Sequence, residues 1–163
     1  MGRLDGKIAV ITGATSGIGL HTAELFVAEG AKIVIAGRRA PEGEALAKRR
    51  GTDCLFRRTD VTIENDIRQL VEICVEKFGR IDCLFNNAGG PAQTGGIEGL
   101  DVERFDAAMA TLVRSVMLGM KHAAPHMRRR APAASSTTAA SLGGTPDFRP
   151  QSSMAPPKPP SSI

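Results

Sequence analysis

Over residues 1–130, short apolar runs alternate with stretches whose apolar positions recur every three or four residues, the spacing of buried strands followed by one-sided helices. Residues 7–12 read as a buried strand. A glycine-rich turn follows, then a predicted helix over 17–29 that Gly30 stops. Residues 32–36 predict a second strand, 41–50 a helix opened by Pro41, and 54–58 a third strand. In 64–77 the apolar residues Ile67, Leu70, Val71, Cys74 and Val75 share one helical face, and Gly79 ends it. Residues 81–85 predict a fourth strand. Asp101 then caps a long helix with Phe105, Met109, Leu112, Val113, Val116, Met117 and Met120 along one side. Alternating strands and helices pair in parallel through right-handed crossovers, so the expected fold is α/β, a doubly wound sheet of about four strands in the order 3-2-1-4.

The pattern stops near residue 130. Residues 131–163 hold 7 of the 10 prolines, and Pro, Ser, Ala and Thr fill 23 of these 33 positions. Only Asp147, Arg149 and Lys158 are charged there. No strand or helix period runs through the segment, so an ordered region over 1–130 and a disordered tail over 131–163 are expected.

Composition removes several function classes. No run approaches the ~20 apolar residues of a membrane span, and the opening MGRLDGKIAVITG lacks the apolar stretch of a secretion signal. Cys54, Cys74 and Cys83 have neither CxxC nor zinc-ligand spacing, so no disulfide framework is expected and a reducing cytoplasm fits. The net charge of +4 is spread along the predicted helices, and Arg128, Arg129 and Arg130 close the last one, where cations suit the dipole. No nucleic-acid partner is expected. His122 and His126 lie four apart without a third ligand, so no metal is expected either. The chain has no tyrosine and no tryptophan.

The first strand runs into Thr12-Gly13-Ala14-Thr15-Ser16-Gly17-Ile18-Gly19, and a helix opens there. In that setting Gly13 permits a tight turn, Gly17 lets backbone approach a pyrophosphate, and Gly19 allows close packing of strand and helix, while the first helical N–H groups face the phosphates. This points to a Rossmann-like dinucleotide site. The spacing TGxxxGxG, followed by Asp60-Val61 after the third strand and Asn86-Asn87-Ala88-Gly89 after the fourth, resembles the short-chain dehydrogenase/reductase family over residues 3–127. The resemblance implies that Asp60 and the Val61 N–H read the adenine edge, and that Asn87, Ala88 and Gly89 line the nicotinamide ribose. A helix cap ahead of residues 62–66 is the alternative for Asp60. The expected cofactor residues are therefore Gly13, Ser16, Gly17, Ile18, Gly19, Arg38, Asp60, Val61, Asn87, Ala88 and Gly89. At the end of the second strand Gly37 stands where an NAD-binding fold carries an acid for the ribose 2′-hydroxyl, and Arg38 follows. A guanidinium clamps a 2′-phosphate, so NADP is expected, with NAD as the alternative and Arg38 and Arg39 as solvated loop charges the plainer reading.

The family's chemistry, by the same resemblance, uses Ser, a Tyr-x-x-x-Lys segment and an Asn on the long helix, with the Tyr exchanging a proton with the substrate oxygen. Without a tyrosine no catalytic residue is expected here; Leu112 stands at the Asn position and reads as core, and Lys158 lies among prolines. A shifted codon frame offers a second account of the tail. If Pro132 to Ala140 are encoded CCG GCA GCA TCA TCA ACA ACG GCA GCA, the neighbouring frame reads Gly-Ser-Ile-Ile-Asn-Asn-Gly-Ser, similar to the family's fifth strand and its Ser. Ser153 to Ile163 reread in that frame as Tyr-Gly-Ala-Ala-Lys-Ala-Ala-Val-Ile-His. The expected consequences are a fourth strand left as a sheet edge, a Met-rich helix face left uncovered and a compromised homo-oligomer. Three readings stay open: a truncated NADP(H)-dependent oxidoreductase whose intact relative acts on a secondary alcohol or ketone, a dinucleotide-binding module without turnover, and a non-functional product.

Overall fold

β1, Ile8–Thr12, is buried along its whole length, as a strand with neighbours on both sides and helices on both faces must be. The computed structural model describes residues 2–90, 96–128 and 137–139. β1 pairs in parallel with β2, Lys32–Gly37, on one side and β4, Cys83–Asn86, on the other, and β3, Cys54–Arg58, lies outside β2. Alternate residues of each strand enter opposite layers. Val10, Val34 and Leu84 pack with Leu70, Val71 and Cys74 of α3, Glu64–Phe78, and with Ala123 of α5, Ser115–Arg128. Ala9, Ile11, Ile33 and Ile35 pack on the other face with Ala23 of α1, Gly17–Ala28, and Leu46 of α2, Ala40–Arg50. The result is the expected doubly wound sheet with the 3-2-1-4 order, and the element boundaries lie within two residues of those predicted for these strands and helices.

Four features differ from expectation, each for a local reason. β4 begins at Cys83 because the Asp82 carboxylate takes the place of a ladder bond: its Oδ2 accepts from Ile8 N at 2.9 Å and from Arg80 Nε at 2.8 Å. The long helix is not uniform. α4, Val102–Met109, is capped by Asp101, which accepts from Arg104 N at 3.1 Å, and passes through a π-helical turn, Ala110–Arg114, into α5. The side of α5 that meets the sheet is its small residues Ser115, Gly119 and Ala123, four apart, and a Cβ on Gly119 would stand 2.6 Å from Asn86 Oδ1. The stripe of Phe105, Met109, Val113, Met117 and Met120 is exposed, in line with the uncovered Met-rich face expected above, whereas Leu112, read as core, is only half-buried.

The last difference is β5, Thr137–Ala139, which pairs in parallel with β4 through Leu84, Phe85 and Asn86 and extends the order to β3-β2-β1-β4-β5. β4 is thus not an edge. An unpaired strand presents a row of N–H and C=O groups, and a segment with β-branched threonines is suited to pairing with them. The remainder of the predicted tail, 131–136 and 140–163 with Lys158, lies outside the described residues, as do Arg129 and Arg130.

Candidate functional site

Because the strands are parallel, the segments that follow β1, β2, β3 and β4 all emerge at one edge of the sheet. The chain reverses its direction of winding between β1 and β4, where open α/β sheets hold their ligands. The two turns at that switch point are tied to each other. Thr12 Oγ1 accepts from the backbone N–H groups of Asn87 and Ala88, both at 3.0 Å, and Asn87 Nδ2 donates to the carbonyls of Thr12 at 3.0 Å and Gly13 at 3.3 Å. Gly13 has φ +67°, and a Cβ there would lie 2.7 Å from Ala88 Cα. A Cβ on buried Gly19 would meet Asn87 Nδ2 and the Gly13 carbonyl, so that position carries none for reasons of packing. Ser16 precedes α1 in extended conformation without a side-chain cap, and Ser16, Gly17 and Ile18 are exposed where the helix opens. The first N–H groups of a helix have no partner inside it and are available to an anion.

At the end of β2, a Cβ on Gly37 would meet Thr15 Cγ2 at 2.7 Å, so Thr15 fills the seat an acidic side chain would need. Arg39 donates from Nε and Nη2 to Thr15 Oγ1, both at 3.3 Å, while Arg38 is exposed beside it. After β3, Asp60 Oδ1 accepts from Thr62 N at 2.9 Å and Thr62 Oγ1 at 2.8 Å, and Asp60 N donates to Asp66 Oδ2 at 2.9 Å. The Thr62 N–H is the leading cause that holds the Asp60 carboxyl below the usual carboxylate range; it acts against burial, with the Thr62 hydroxyl, Arg38 and Arg58 adding to it. α3 begins at Glu64 with Ile63 as its cap residue, so Asp60 shapes the loop rather than capping the helix. Gly89 is exposed just beyond the Asn87–Ala88 ties.

The structure thus brings Gly13, Gly19, Asn87 and Ala88 into contact, and sets Arg38 close enough to Asp60 to act on its charge. Thr12, Thr15 and Arg39 were not singled out by sequence reasoning. A threonine closing an otherwise apolar strand was the available sign for Thr12. His122, considered as a metal ligand, stands 3.0 Å from Glu64 Oε1.

Residues 7–147 match the family model of short chain dehydrogenase. The chain belongs to the short chain dehydrogenase family. It is 45% identical over 126 residues to short-chain dehydrogenase reductase 3a of Arabidopsis thaliana, covering 77% of this chain and 49% of the relative. It is 38% identical over 149 residues to (+)-borneol dehydrogenase 2 of Salvia officinalis, covering 87% of this chain and 52% of the relative. Among solved structures it resembles a 3-ketoacyl-(acyl-carrier-protein) reductase from Brucella melitensis complexed with NADH, with a TM-score of 0.74, 37% identity, and coverage of 77% of this chain and 52% of that one. The chain spans about half the length of these relatives.

Proposed function

We propose that residues 1–130 form the dinucleotide-binding region of a short chain dehydrogenase. The joining of the turns after β1 and β4 at the switch point carries this reading: Asn87 and Ala88 bond to Thr12 and Gly13, and Gly13 approaches Ala88 so closely that a Cβ there would stand 2.7 Å from Ala88 Cα. A nicotinamide dinucleotide, when bound, would give hydride in its reduced form or take it in its oxidised form; the chain's part is to hold it. Gly13, Ser16, Gly17, Ile18 and Gly19 receive the pyrophosphate, Asp60 and Val61 the adenine, and Asn87, Ala88 and Gly89 the nicotinamide ribose. Support comes from the solved relative's complex with NADH.

The preferred cofactor is NADP(H). Thr15 occupies the space beside Gly37 in which a ribose-binding acid would stand, and Arg38 is exposed at the same strand end for a 2′-phosphate. Arg38→Ala should remove roughly 1–3 kcal/mol of the preference for NADPH over NADH, the range of a charge-assisted hydrogen bond. Fluorescence titration with both cofactors at moderate salt measures it. Tighter binding of NADH than NADPH by the unmodified chain would overturn the assignment.

For the intact relative of this chain the proposed reaction is hydride exchange with a secondary alcohol or ketone, a reading supported by one relative named as a dehydrogenase of borneol and another as a reductase of a ketoacyl group. The frame-shifted account of 131–163 belongs to the same proposal. Sequencing the gene across codons 125–165 tests it, and a neighbouring frame without Tyr and Lys codons would remove it.

A further inference from the structure

The loop that carries Asp60 and Val61 is braced internally by short-range bonds: Asp60 to Thr62, Asp60 to Asp66, and Ile63 N to the Asp60 carbonyl at 3.0 Å. Such bonds fix the loop's shape. The Asp66 bond also ties the loop to the first turn of α3, but none of them ties it to the π-helical turn or α5. A bond from far along the chain does that, as Arg114 Nη2 donates to the Thr62 carbonyl at 2.9 Å across 52 residues.

We propose that Arg114 is a positioning residue for the adenine end of the cofactor site, acting through the Thr62 carbonyl on Asp60 and Val61. The inference rests on the dinucleotide reading above. Its geometry is built by the helix. Arg114 closes the π-helical turn, and a wider turn leaves backbone carbonyls in need of other donors. Here Thr111 Oγ1 donates to the Ala107 carbonyl at 3.0 Å and Ser115 Oγ to the Thr111 carbonyl at 2.5 Å, so hydroxyls on both sides support the turn from which Arg114 departs. Seven and eight residues later, on the same helical side, Lys121 Nζ and His122 Nε2 meet Glu64 Oε1 at 2.7 and 3.0 Å. The π-helical turn, through Arg114, and α5, through Lys121 and His122, therefore grip the segment 62–64 at its two ends, and Arg114 is the contact on the carbonyl adjoining the adenine-binding pair. A guanidinium suits the role because it stays charged and carries several donors in a fixed fork.

The test compares the full chain with Arg114→Met, which keeps much of the stem and removes the donors, Arg114→Lys, and Lys121→Ala as a control that loosens the same helix pair elsewhere. The probes are AMP and NADPH by calorimetry, with hydrogen exchange over 60–63. Arg114→Met should weaken both ligands by the same factor, about 3- to 10-fold for one charge-assisted bond near the surface, and speed exchange in the loop. Arg114→Lys should recover part of the affinity, and Lys121→Ala should leave AMP binding unchanged. AMP binding by Arg114→Met at the unmodified level, or an equal loss in Lys121→Ala, overturns the positioning role alone. An unmodified chain that binds neither AMP nor NADPH overturns the dinucleotide reading and this inference with it.

Discussion

Gly13 and the three cysteines show how differently single residues reveal themselves. A glycine between an apolar strand and a helix is legible because the turn needs a backbone conformation with φ near +67°, which side chains disfavour. Asn87 and Ala88 were legible through the spacing of their motif. Thr12, Thr15 and Arg39 were not, because each acts through a partner 24 to 76 residues away that only the folded sheet brings near. Cys54 and Cys74 are buried in the two layers, and Cys83 is half-buried. Burial is the main cause that pushes the Cys54 thiol up to about 11 and the Cys74 thiol up to about 12. Little thiolate then exists at mildly alkaline pH, and thiolate is the reactive form. Iodoacetamide should leave both unlabelled in the native chain and label both after denaturation, read by mass spectrometry. Rapid native labelling of Cys74 would contradict the packing described.

At the scale of elements, strand and helix identities followed from hydrophobic period, while the start of β4 shifted where a side chain took a backbone donor. That side chain is Asp82. Its carboxylate receives the Ile8 N–H and the Arg80 guanidinium at the start of β1 and β4, so Asp82→Ala leaves a part-buried donor without its partner. The expected loss is about 1.5–3 kcal/mol by urea unfolding with an unchanged m-value. A stability equal to the parent would show that the junction is held otherwise. The contact of α3 with α5 has a pH dependence of defined sign. Hydrogen bonds from Lys121 first, then His122, hold the exposed Glu64 carboxyl below its ordinary range. A group lowered on folding stabilises above its unfolded pKa, and that contribution is lost as pH falls through the folded value. Glu64→Gln should therefore flatten the acid limb of the stability profile just below the ordinary carboxylate range, measured by thermal melts across pH. An acid limb identical to the parent would contradict the tether. The π-helical turn and the small-residue contact of α5 were hidden, because an apolar stripe in the sequence does not say whether it meets the sheet or solvent.

For the whole molecule, the order of four strands was legible because parallel crossovers leave few topologies, whereas β5 lay in a stretch whose composition carries no strand period. The same scale governs activity. A chain without tyrosine lacks the proton-exchanging group of the family's mechanism, which is worth ~10²–10⁴ in rate, so NADPH oxidation with a panel of ketones should stay at background. Turnover by this polypeptide would require another acid and would contradict this expectation. Cofactor binding as proposed needs none of that machinery, only the edge where the turns after β1, β2, β3 and β4 meet. Isothermal titration of the full 163-residue chain and of Gly13→Val with NADPH tests that directly. One saturable site in the parent, abolished by a side chain driven against Ala88, is the predicted result; no binding by the folded parent, or equal affinity in both proteins, would contradict it.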